Sequence, residues 1–142
     1  MTLAQYIYST TCSDLVTAEK AVLISAKSIE VCQRLGLTGR VFSTQTHALA
    51  VTEGPSDIVE RYYQAIASDN LVATALLHTK RQVIAREFED YSVWLDIGEP
   101  FGPHPHVHQM TPQSLTKAMP PRPSARLRIM VDALFDDGRL VA

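Results

Sequence analysis

Leu3, Tyr6, Ile7 and Tyr8 crowd the segment Thr2 to Thr10, so the chain opens on a β-strand. Thr17 then suits the cap of a helix from about Ala18 to Leu35, with Gly36 as its stop. Ala21, Ile24, Ser28, Val31 and Leu35 recur at steps of three and four, which predicts one inward face. Val41–Ser43 and Ala48–Thr52 read as two strands joined by a polar turn around Thr44 to Thr46. Gly54-Pro55 breaks the second of them and starts another helix, with Pro55 in its first turn. Ile58, Tyr62, Ala65 and Ile66 form that helix's expected buried stripe, and Asp69-Asn70 ends it. Alternation in Thr74–Thr79 and in Phe88–Leu95 predicts two more strands. The order β-α-β-β-α-β plus a fifth strand implies an α+β, ferredoxin-like fold. Two helices would cover one face of a mainly antiparallel sheet. The other face would be left for a partner or for the C-terminal segment.

From Gly98 the pattern changes. Gly98 to His108, with Pro100, Pro103 and Pro105, reads as loop. Thr111-Pro112 starts a short helix to about Ala118, stopped by Pro120, Pro121 and Pro123. Ser124 caps a last helix through about Phe135, with Leu127, Met130, Val131 and Leu134 on one face. The expected division is a domain over residues 1–98 and, over 99–142, a proline-rich connector with a C-terminal helical extension. That extension would pack on the domain or on a second subunit.

Composition narrows the function classes. The 142 residues carry 46% hydrophobic residues and a net charge of −2, which suits a globular domain. The basic residues are scattered, so nucleic acid is not an expected partner. No apolar stretch is long enough to span a bilayer, and the N-terminus lacks a signal peptide's basic flank and apolar run. Cys12 and Cys32 make no disulfide framework, so a reducing cytoplasm is the expected compartment. No glycine-rich phosphate loop or nucleophile elbow is present, and no enzyme activity is expected. His104, His106 and His108 alternate, so an extended chain would place them on one side as possible metal ligands. The competing reading is a solvated Pro-His loop with no fixed geometry, and no metal is expected.

Several short motifs, in order, resemble one family. Tyr6-Ile7-Tyr8-Ser9-Thr10, Leu37-Thr38-Gly39, Glu53-Gly54 followed by Val59, Tyr62, Ile66 and Asp69, and Arg86 with Phe88 are similar to anchors of the BLUF domain, the sensors of blue light using FAD. The resemblance covers roughly Met1 to Gly98. It implies a flavin held between the two helices and a tyrosine–glutamine–flavin hydrogen-bond network that responds to light, without turnover. By this resemblance the flavin-pocket positions are Tyr8, Ser28, Cys32 and Ala50.

Two of those four positions depart from the family's chemistry. Tyr8 keeps the photoactive tyrosine and Ser28 keeps a hydroxyl, but Cys32 stands at an asparagine position and Ala50 at the switching glutamine. The family's Asp-x-Arg-His becomes Asp69-Asn70-Leu71-Val72, and its fifth-strand tryptophan and methionine fall on Tyr91 and Val93. An amide donates and accepts at once, which suits a flavin edge; a thiol does so weakly and a methyl not at all. The expectation is a degraded pocket with no cofactor, FAD binding only if the family function is retained. The vacated slot would close into ordinary core, or else admit a different ligand. Tyr8 would be a buried strand aromatic satisfied by Ser28 or backbone, the alternative being a redox relic. Cys32 would be a small buried hydrophobe rather than a sensor thiol. The expected function is a BLUF-like sensory or regulatory domain acting through a homo-oligomer or a signalling protein, the alternative being an FAD-binding photoreceptor with a variant pocket.

Overall fold

The computed structural model describes residues 2–12, 17–97, 101–102, 104–111, 114, 117–119 and 128–129. Most of the amphipathic helix expected over Ser124 to Phe135, and most of the short helix before it, lie outside the described residues. The elements are β1 (Leu3–Cys12), α1 (Ala18–Leu35), β2 (Thr38–Thr44), β3 (His47–Pro55), α2 (Ser56–Ala67), β4 (Val72–Val83), β5 (Tyr91–Asp96) and β6 (Val107–Gln109). They form one mixed sheet of order β4-β1-β3-β2-β5-β6. The first four strands are antiparallel throughout, the ferredoxin-like pattern, whereas β5 runs parallel to β2 and β6 parallel to β5.

Helix α1 begins where Thr17 accepts a hydrogen bond from the Lys20 N–H at 3.2 Å, and ends at Gly36, whose φ of 74° suits a residue without Cβ. Its buried face is Ala18, Ala21, Ser25, Ile29 and Cys32. The sequence stripe was therefore rotated: Ile24 and Leu35 are exposed at 36% and 38%, while Ser28 is half-buried. Packing against the sheet selects a narrow arc centred on small residues, which lets the helix approach closely. In α2, Val59 and Tyr62 are buried, Ile58 and Ile66 are partly so, and Ala65 faces solvent. The helix thus turns Val59, rather than Ala65, toward the sheet.

Strand β4 is longer than its alternation suggested, because it follows β1 along its whole length from Leu3 opposite Val83 to Cys12 opposite Val72. The segment Gly98 to His108 is not all loop. Val107 and His108 belong to β6, which pairs with Val93 and Trp94, and three residues are too few to show a period.

The two sides of the sheet carry separate cores. Tyr6, Tyr8, Ala50, Tyr91, Val93 and Leu95 face the helices, while Ile7, Phe42, Leu49, Val51 and Trp94 face the opposite side. Trp94 is thus on the other face from Tyr91 and Val93, as the strand period required. Met110, Ala118 and Met119, from the chain beyond β6, cover that second face.

The motifs at Leu37-Thr38-Gly39, Glu53-Gly54 and Arg86-x-Phe88 converge around one buried carboxylate. Glu53 is fully buried and accepts from the Gln5 amide at 3.2 Å, the Thr38 hydroxyl at 3.0 Å and the Glu87 and Phe88 N–H groups at 3.1 and 2.7 Å. Arg81 donates twice to the Gln5 carbonyl oxygen, turning the Gln5 NH₂ toward Glu53. Arg86 donates to Gly36 O at 2.8 Å and to the Thr38 hydroxyl at 3.2 Å. Gly39 crosses β3 so closely that a Cβ there would run into the Val51 carbonyl. These residues fix β1, β2, β3 and the entry to β5 against one another.

Candidate functional site

The four sequence-expected positions come from three elements. Tyr8 on β1 lies directly across from Ala50 on β3, Ala50 from Val41 on β2, and Val41 from Val93 on β5. That row runs beneath the two helices. Ser28 on α1 overhangs it, and Tyr8, Ser28 and Ala50 all line one cavity of about 220 Å³. The slot has not closed, because Ala48, Ala50, Ser25 and Ser28 are too short to fill the distance between helix and sheet. Cys32 is fully buried outside that lining, in the same core cluster as Tyr62 and Tyr91.

Tyr8 does not find its partner in Ser28 or in backbone. Its hydroxyl pairs with Thr52 Oγ1 at 3.2 Å, and its ring meets Tyr63 edge-on at 5.0 Å. Tyr63 in turn meets Tyr6 at 6.0 Å, and Tyr6 donates to Glu60 at 2.8 Å. Burial raises Tyr8, Tyr62 and Tyr91 above the usual phenol value, with neighbouring groups as smaller causes. Burial also pushes the Cys32 thiol up to about 11, partly offset by the Tyr62 and Tyr91 hydroxyls. All of these groups are therefore neutral at physiological pH. Cys32 behaves as a small core residue, since its thiolate is suppressed.

The sequence reading missed how Tyr62 and Tyr91 combine with Cys32, and that Thr52 takes the Tyr8 hydroxyl. Tyr62 was legible as a helix-stripe residue and Tyr91 as a strand residue. Their meeting depends on β5 pairing with β2, which no local pattern encodes. Asp69 stands at the mouth of the cavity, its Oδ1 accepting from the Leu71 N–H at 2.8 Å.

The histidine-bearing loop forms a different cleft, lined by Arg40, Asp90 and Trp94 as well as His104, His106 and His108. The chain is not extended there: His106 has φ 64° and the histidine alternation breaks at that turn. His106 Nδ1 lies 3.4 Å from Asp90 Oδ2, while the His108 ring stacks on Trp94 at 4.4 Å. Burial, first, and nearby positive charge lower the His108 pKa. Among the described residues no group of three or more His, Cys, Asp or Glu side chains converges in a way that could hold a metal ion. No helix among them is long and apolar enough to cross a membrane.

A ferredoxin-like sheet with two helices on one face and a cavity between them defines a small α+β domain. The profile of the BLUF family, sensors of blue-light using FAD, matches residues 3–94, and the chain belongs to that family. Among solved structures, it is similar to BlrB, a BLUF protein in its dark state, at 22% identity and TM-score 0.59, over 68% of this chain and 73% of that one. It is similar to the BLUF domain of BlrP1 at 14% identity and TM-score 0.72, over 97% and 93% of the two chains. Similarity to a bacterial light-regulated adenylyl cyclase, at 21% identity and TM-score 0.61, covers 67% of this chain but only 28% of that one. A Klebsiella pneumoniae BlrP1 structure, in complex with calcium and cy-diGMP, likewise extends well beyond it, 34% of that chain being covered. No protein of curated function matches the sequence.

Proposed function

We propose that this BLUF domain is a sensory or regulatory module that works through protein–protein contact, without flavin photochemistry and without turnover. The observation that carries the reading is the pairing of Tyr8 with Ala50 across β1 and β3. A methyl stands where the resemblance assigns the switching glutamine, and Thr52 has taken the tyrosine hydroxyl. Cys32 cannot replace an asparagine, because a thiol donates and accepts only weakly. No Lys, Arg or His side chain is among the described residues lining the cavity, so a flavin phosphate would find no counter-charge there.

Losing two amides and one or two cationic contacts weakens binding by about 1–3 kcal/mol each. A total of about 4–6 kcal/mol is roughly three to four powers of ten in affinity. In this reading residues 1–98 are the sensor and 99–142 the connector and helical extension through which a second copy or a signalling protein is engaged. Two unpaired cysteines suit a cytoplasmic setting.

The second reading, an FAD-binding photoreceptor with a variant pocket, is favoured by Tyr8 and Ser28 both lining an open cavity. A visible absorption spectrum separates the two. The purified chain should be colourless and stay so after incubation with FAD and removal of the excess. A yellow protein whose absorption shifts reversibly to the red under blue light would replace the first reading with the second. Light scattering and pull-downs test the output: a strictly monomeric chain that captures no partner would argue against an interaction module.

A further inference from the structure

We propose that the cavity between α1 and α2 binds a one- or two-ring aromatic molecule that is uncharged or carries an amine. This rests on the reading that a phosphorylated flavin is not its occupant. Size sets the first limit. A cavity of about 150 Å³ lined by apolar side chains holds benzene, and drug-sized ligands take about 300–1,000 Å³. At about 220 Å³ this cavity falls between them, which suits one or two rings and is tight for the three fused rings of a flavin. Ala21, Ile24, Val41, Ala50, Ile66 and Val93 give it apolar walls, while Tyr8, Tyr62 and Tyr91 bring ring faces and edges.

Charge sets the second limit. Asp69 is the one acidic side chain among the described lining residues, and none of them is basic. It follows the C-terminus of α2, where the Gln64 and Ile66 carbonyls accept the Ser68 and Asp69 N–H groups and the helix dipole is negative. The phenols deeper in the cavity are held protonated by burial and supply hydrogen bonds without charge. An anionic ligand would meet a carboxylate with no compensating cation. An amine directed to the mouth would meet Asp69.

The test is calorimetric titration of the full chain with indole, tryptamine, indole-3-acetate and riboflavin, repeated on Ala50→Leu and Asp69→Asn. Indole and tryptamine should bind, with tryptamine at least about tenfold tighter than indole-3-acetate. Ala50→Leu, confirmed folded by circular dichroism, should weaken indole by about tenfold or more, and Asp69→Asn should abolish the preference for the amine while leaving indole unchanged. Absence of indole and tryptamine binding at millimolar concentration would overturn the inference. So would equal affinity for the acetate, or an Ala50→Leu protein that binds as well as the parent. If riboflavin also fails to bind in that case, the flavin-free reading of the domain stands and only the ligand assignment falls. Binding of riboflavin removes the flavin-free reading itself, and this inference with it.

Discussion

Replacing Glu53 by alanine removes the acceptor shared by four donors on two strands and the 87–88 segment. Two of those donors are backbone N–H groups, and the Glu53 side chain is fully inaccessible to water. Each buried donor left without an acceptor costs about 1–3 kcal/mol, although a water entering the vacated space recovers part of it. The expected loss is about 3–5 kcal/mol, a large share of a stability of about 5–15 kcal/mol. For a chain of this size that lowers Tm by roughly 9–15 °C. Glu53→Gln keeps one acceptor and should lose about half as much. Differential scanning calorimetry of both variants measures this directly. A double-mutant cycle with Thr38→Val adds the specific test: removing the Thr38 hydroxyl should cost about 1 kcal/mol more in the parent than in Glu53→Ala, where only its contact with Arg86 remains to be lost. A Glu53→Ala protein that melts within about 3 °C of the parent, or strict additivity with Thr38→Val, would refute the assignment of Glu53 as the common acceptor.

Three further outcomes follow from the same geometry. Tyr8, Tyr62 and Tyr91 have folded-state pKa values raised above the unfolded value of about 10, so their contribution to stability is complete below that pH and is lost as pH rises above it; ultraviolet titration should show these phenols ionising together with unfolding, and full ionisation of all five tyrosines in a still-folded protein would contradict this. Cys32 is inaccessible and its thiol pKa is about 11, whereas Cys12 is only partly buried; an aromatic disulfide reagent at about pH 8 should label Cys12 first and Cys32 only at the rate of unfolding. Gly39→Ala should lower stability by more than about 2 kcal/mol, read by urea denaturation, because its Cβ collides with the Val51 carbonyl at a φ of 154°.

The succession of elements was legible because each has a local signal. Thr17 and Gly36 bracket α1 as cap and stop, alternation marks the strands, and Gly54-Pro55 separates β3 from α2. Strand period alone placed Trp94 opposite Tyr91 and Val93. The inward face of each helix was less legible: small residues such as Ala18 and Ser25 carry little hydrophobic signal, yet close approach to the sheet selects them over Ile24 and Leu35. The ordered motifs indicated the family, but not that three of them meet at Glu53, since hydrogen bonds spanning 15 to 48 residues leave no trace in local periodicity.

The sequence by itself determined the α+β succession, the side on which each strand residue falls, and the absence of amide side chains at positions 32 and 50, because these follow from residue type and a fixed backbone period. Only the tertiary structure decided that the slot stays open, that Thr52 rather than Ser28 takes the Tyr8 hydroxyl, and that Cys32 joins Tyr62 and Tyr91. Those outcomes depend on the distance between helix and sheet and on the parallel pairing of β5 with β2, and both are set by packing among residues far apart in the chain.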